Sequence, residues 1–153
     1  MSIYNTILSD LKTAMKSRQE ARLRVLRSVK AAMLEKEISE RTDGKPGEIS
    51  DESATEVLVK AAKQRKDSIT QFTDAGRDDL ADTEKEELKI IESYLPKQLD
   101  ESEVAAIVDE AIQQTGAESM RDMGKVMGRV MPKVKGKADG NIVNRLVKER
   151  LNA

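Results

Sequence analysis

The chain has 153 residues, with 27 Lys/Arg, 28 Asp/Glu, a formal net charge of −1, and no Cys, His or Trp. Those absences exclude disulfide scaffolds, Cys- or His-based zinc sites, His-ligated haem, and nucleophilic catalysis by Cys/His or Ser/His pairs. With 36% charged residues, three prolines and only Tyr4, Phe72 and Tyr94 as aromatics, the composition points to helices; no apolar run approaches the roughly 20 residues that a membrane-spanning helix needs.

Helical periodicity runs through almost the whole chain and strand alternation through almost none of it. A first helix is expected over about 2–15 and a second over about 18–39, followed by a loop at Thr42-Asp43-Gly44-Lys45-Pro46-Gly47 that contains both breakers. A third helix should start after Ser50, place Leu58, Ala61, Ala62, Ile69 and Phe72 on one face, and end at Gly76. The fourth runs from about Asp78 to Leu95 and stops at Pro96. Pro96 to Gln98 reads as a linker. In the fifth helix Asp100 is the expected cap, Glu103 its reciprocal carboxylate, and Leu99 with Val104 the hydrophobic staple. Gly116 ends that helix, a sixth covers about 118–131, Pro132 to Ala138 form a connector, and Asp139 caps a seventh. The expected architecture is all-α, with a four-helix N-terminal domain over 1–95 and a three-helix C-terminal domain over 96–153.

Net charge hides an asymmetry. Residues 51–95 carry seven basic against twelve acidic side chains and 96–118 one against six, whereas 119–153 carry nine against three. The cationic charge is concentrated in the last 35 residues, which is a statement about partners rather than about the fold.

Sites of chemistry are scarce. The acidic cluster Asp78, Asp79, Asp82, Glu84, Glu86 and Glu87 lacks the spacing of a cation loop and reads as an acidic first turn and a solvated face. Gly136-Lys137 is followed by Ala138 rather than Ser or Thr, and Met131 stands where a P-loop needs Gly, so no nucleotide cradle is present. No catalytic constellation, metal site or cofactor site is expected. The informative stretch is Met120 to Met131. On a helical wheel Met120, Met123, Met127, Val130 and Met131 share an arc, with Val126 on its flank. Arg121, Lys125 and Arg129 fall opposite, and Gly124 and Gly128 lie on the border. Two helical glycines cost roughly 1 kcal/mol each against Ala, which either close packing of a neighbouring helix or close approach of a polyanion backbone would offset. Then Lys133, Lys135 and Lys137 alternate through a connector that leads into a helix N-terminus, where they either grip a phosphate or keep a turn soluble. Arg145 and Lys148 extend the positive surface. No aromatic follows Tyr94, so a nucleic acid would be held by backbone and shape rather than by base stacking. In the second helix Arg22 falls among Val25, Leu26, Val29 and Met33 and should snorkel or pair with a carboxylate. Lys60, Lys63, Arg65 and Lys66 form a further basic patch, read as a solvated face.

The runs Met123-Gly124-Lys125-Val126-Met127-Gly128 and Met131-Pro132-Lys133-Val134-Lys135-Gly136-Lys137-Ala138-Asp139-Gly140, with Val143-Asn144, resemble the YqeY family of small bacterial proteins. The segments Lys63 to Ile69, Ala75 to Leu80 and Tyr94 to Leu99 are similar to the same family, so the resemblance covers essentially the whole chain. The C-terminal part is also similar to the tail domain of GatB, a subunit of glutamine-dependent tRNA amidotransferase, at Gly124, Gly128, Met131, Lys135, Gly136 and Ala138. It departs at Asp139-Gly140, where amidotransferase tails are expected to carry Asn-Pro. The resemblance implies an all-helical two-part fold and, for the tail, contact with the body of a tRNA; it carries over no catalytic residue.

The resulting expectation is a cytoplasmic, non-catalytic module that binds tRNA or a tRNA-handling enzyme. Its candidate contacts are Lys125, Arg129, Lys133, Lys135, Gly136, Lys137, Arg145 and Lys148, with Gly124 and Gly128 as close-packing glycines. The alternatives are a protein-interaction adaptor that binds no RNA, or an accessory of carbon–nitrogen ligation with glutamine as amido donor.

Overall fold

The computed structural model describes residues 1–152; residue 153, the end of the expected C-terminal domain, lies outside them. The described residues form seven α-helices and one 3₁₀ turn, with no strand among them. The chain divides into two compact units, Met1–Leu95 and the stretch from Pro96 onward, each with a hydrophobic core of its own.

In the first unit α1 spans Ile3–Lys16, α2 Glu20–Glu40, α3 Asp51–Asp74 and α4 Asp78–Glu92. The side chains of Ser2 and Ser50 accept the backbone N–H groups of Asn5 and Ser53 and so cap α1 and α3, each cap worth about 1 kcal/mol. Ile7, Leu26, Met33, Leu58 and Ile91 supply the fully buried centre, one or more from each helix. α3 ends at Gly76, whose φ of 71° lets the Arg77 N–H reach back to the Phe72 carbonyl at 2.8 Å. The turn after α1 uses Arg18 at φ 52° in the same role, a conformation that strains any side chain with a Cβ. α2 therefore begins two residues later than its periodicity suggests. Arg22 meets its carboxylate: it donates to Asp10 at 3.4 Å and to the Tyr94 hydroxyl at 3.0 Å, while Tyr94 donates to Asp10 at 2.6 Å. The loop after α2 is tied down, since Glu48 accepts from Ser2 and Asn5, and Glu37 accepts from the Gly47 N–H.

In the second unit α5 spans Glu101–Thr115, a 3₁₀ turn Met120–Asp122, α6 Met123–Val134 and α7 Gly140–Leu151. Both hydrogen bonds of the capping box between Asp100 and Glu103 are present, and Asp139 caps α7 by accepting from the Asn141 N–H. The sixth element differs from expectation at both ends. It opens as a 3₁₀ turn, and it continues through Pro132 to Val134 instead of stopping before the proline. Proline removes one donor, the one aimed at the Gly128 carbonyl, but the extra turn buries Val134 to 1% exposure. The core is built of valine: Val104, Val108, Val126, Val130, Val143 and Val147 are all at 0%.

Candidate nucleic-acid interface

The valine core sets the rotation of α6, and that rotation decides what solvent sees. Val126, Val130 and Val134 recur every four residues and face inward. Met123 and Met127 are partly buried at the edge of the core, while Met120 and Met131 remain 37% exposed. The methionine-centred arc is thus corrected: the apolar side of this helix is wider than the core it meets, and the narrow valines take the centre. As a result Gly124 and Gly128 turn from the border to the solvent side, together with Pro132. A Cβ built on either glycine would meet nothing within 4 Å. Among the described residues no helix packs against these two glycines, so close approach of a neighbouring helix does not account for them here.

Lys125, Arg129 and Lys133 run alongside this bare stripe, all three exposed. Spaced four residues apart, they span about 12 Å of helix axis. Lys125, Gly128 and Arg129 share a shallow hollow of about 440 Å³ with Gln114 and Thr115 at the end of α5.

The connector that follows is a built turn. Val134 and Gly136 point inward while Lys133, Lys135 and Lys137 point outward, in strict alternation. Gly136 adopts φ 75°, which closes the turn and lets the Lys137 N–H reach the Val134 carbonyl at 2.8 Å. The Gln98 side chain donates to the carbonyls of Gly136 and Pro96 at 2.9 and 2.8 Å, and the Leu99 N–H donates to the Lys137 carbonyl at 2.8 Å. Sequence reasoning treated Gln98 as linker and missed this; a lone Gln between proline and a helix cap gives no local signal of a contact 38 residues away. Asp139 already fills the N-terminus of α7, so the lysines rather than the helix end offer the positive charge here.

The remaining cations divide by partner. Arg145 pairs with Glu101 and with Glu149, and these hydrogen bonds, Glu101 first, raise its pKa. Arg150 pairs with Asp109 at 2.9 Å. Lys125 is only at the margin of Asp122, 4.0 Å away, whose carboxyl is held below the usual range chiefly by the Glu118 N–H. Arg129, Lys133, Lys137 and Lys148 have no ion-pair partner among the described residues. Arg145 and Lys148 line a separate hollow of about 430 Å³ on α7 with Asn141 and Asn144. The structure thus groups Lys125, Gly128 and Arg129, continues them through Lys133 into the connector, and sets Arg145 apart. Among the described residues no three Asp or Glu side chains are placed to hold a metal ion, and no helix is long and apolar enough to cross a membrane.

The model of the Yqey-like protein family matches residues 4–151. Fungal relatives bear the name Altered inheritance of mitochondria protein 41, mitochondrial. That of Pyrenophora tritici-repentis is 33% identical over 150 residues, covering 95% of this chain and 78% of its own. That of Candida glabrata is 33% identical over 99 residues, 61% of this chain and 52% of its own, and that of Meyerozyma guilliermondii 39% over 92 residues, 60% and 45%. In these last two the matched stretch spans about half of the relative's length.

Proposed function

We propose that this chain, which belongs to the YqeY-like protein family, uses its C-terminal unit as a non-catalytic module that holds the sugar–phosphate backbone of a structured RNA, with tRNA as the candidate class. The observation that carries this reading is the line of uncommitted cations from Arg129 through Lys133 to Lys137, beside a helix face on which Gly124 and Gly128 leave the backbone bare. Mobile cations on a fixed frame suit phosphates, and a face without side chains lets a backbone come close. The likeness of the C-terminal part to the GatB tail points the same way. With no aromatic after Tyr94, recognition would rest on shape and backbone. Arg145, engaged by two carboxylates, would contribute less than Lys148. A cytoplasmic setting belongs to the same proposal, although the fungal relatives are mitochondrial by name.

The test is filter binding of a tRNA transcript to the full chain, wild type against Lys133/Lys135/Lys137→Ala. A loss of at least tenfold is expected, since three cations leave one turn. Equal affinity of the two proteins, or no binding by wild type, overturns the reading.

A further inference from the structure

The N-terminal unit carries an open groove of about 630 Å³ between α2 and α3. Its floor is formed by Val29, Ala32, Val57 and Ala61, of which only Val29 is fully buried. Along α2 it extends from Ser28 to Ser39, about 16 Å at 1.5 Å per residue, or three helical turns. Toward the loop end one ion pair crosses it, Lys36 to Glu56 at 3.1 Å, with side chains 33% and 49% exposed. So exposed a pair is screened by solvent and yields easily to a competitor.

At the other end stands Arg65. Its side chain is only 16% exposed, yet its guanidinium makes no hydrogen bond among the described residues. Glu84 and Glu87 approach Nε at 3.8 and 3.9 Å, too far to accept, and Nε is buried without a partner. A guanidinium has five donors in a planar fork that matches a carboxylate, and this one lines the groove while sharing its charge with Glu84 and Glu87 without a hydrogen bond to either. On the same wall Lys60 has no ion-pair partner among the described residues, and on the opposite wall Glu35 has none either.

We propose that this groove receives one amphipathic helix of a partner protein, with a stripe of small and medium apolar residues on the floor, acidic side chains toward Lys60 and Arg65, and basic side chains toward Glu35. The dimensions favour a helix over a compact ligand, because the groove is open along its length between two helices, as a third helix laid on a pair requires. The charges fix the flanks: the unpaired Lys60, next to Arg65, on the α3 wall, and the unpaired Glu35 on the α2 wall. This surface lies in a different unit from the proposed RNA contacts and stands or falls without them.

The probe is a displayed library of 18-residue helix-forming peptides with a fixed Leu/Ala stripe and randomised flanks, selected against the full chain. Selected clones should carry Asp or Glu on one flank and Lys or Arg on the other, and should shift the amide resonances of Ala32 and Ala61. Lys60→Glu replaces an exposed, unpaired side chain and should leave the fold intact, as a circular dichroism melt would verify. It should weaken the wild-type clones about tenfold, and selection against it should return basic residues where wild type chose acidic ones. Failure to select binders, clones indifferent to Lys60→Glu, or resonance shifts away from the groove would each overturn the proposal.

Discussion

Gly128 is the sixth of twelve residues in α6 and its position on the solvent side makes it the sharpest probe of that helix. An alanine there gains the propensity difference between the two residues, about 0.8–1 kcal/mol in a helix interior. Nothing should subtract from that gain, since the added Cβ meets no atom within 4 Å. For a unit of this size about 1 kcal/mol corresponds to roughly 4–8 °C in melting temperature. Gly124→Ala should gain less, because Gly124 lies in the first turn, where fewer helical hydrogen bonds are fixed. The assay is urea unfolding of the full chain by far-ultraviolet circular dichroism, read with hydrogen exchange of the Val126 and Val130 amides to localise the effect. Gly128→Ala should raise the midpoint without changing the slope and slow exchange in α6. The same variant should weaken tRNA binding, because its methyl group stands where a ribose–phosphate backbone would lie. Opposite signs for stability and affinity are the signature of a glycine kept for a ligand. A destabilised Gly128→Ala variant would refute the reasoning, since it would mean that something packs on that face.

Three further outcomes follow from the packing and the charges. Val130→Ala should destabilise the C-terminal unit by about 1.5–3 kcal/mol, whereas Met131→Ala, at a side chain 37% exposed, should stay within about 0.5 kcal/mol in the same unfolding assay. Arg18→Gly relieves the left-handed turn after α1 and should raise the unfolding midpoint of the N-terminal unit by the equivalent of about 1 kcal/mol. Burial, and then the hydrogen bond to Asp10, hold the Tyr94 phenol well above its ordinary pKa of 10.0. A raised folded value favours the protonated form, so this contribution is whole below pH 10 and drains away as pH climbs past it. Tyr94→Phe should cost about 1 kcal/mol at pH 8 and show a shallower loss of stability between pH 9 and 11 than wild type.

What the sequence disclosed was what is local. The Asp100/Glu103 capping box, the stop at Gly76 and the Asp139 cap each depend on residues within a few positions, and all three stand as read. Arg22 could be placed because a guanidinium inside an apolar arc must find a carboxylate, and Asp10 is there. What depends on tertiary fit was not legible. α6 offers methionines and valines over an arc of about 140°, and only the facing valines of α5 and α7 decide that Val126, Val130 and Val134 go in. The glycines moved with that rotation. Pro132 was read as a stop because the missing N–H is a local fact, while the burial of Val134 that carries the helix past it is not. Arg65 was read with its lysine neighbours as a solvated patch, yet it turns in toward Glu84 and Glu87. Gln98 gave no signal at all, since its partner at Gly136 is set by the fold.

The central claim, that the α6 and connector cations neutralise phosphates of one bound RNA, is tested most directly by the salt dependence of tRNA binding. For wild type the logarithm of affinity should fall linearly with the logarithm of salt concentration, with a slope of about −2.8 to −3.6 if Lys125, Arg129, Lys133 and Lys137 each engage one phosphate, at about 0.7–0.9 per contact. Each Lys→Ala substitution along the line should flatten the slope by about one such step. A flat wild-type plot, or a slope that the substitutions leave unchanged, would contradict the account.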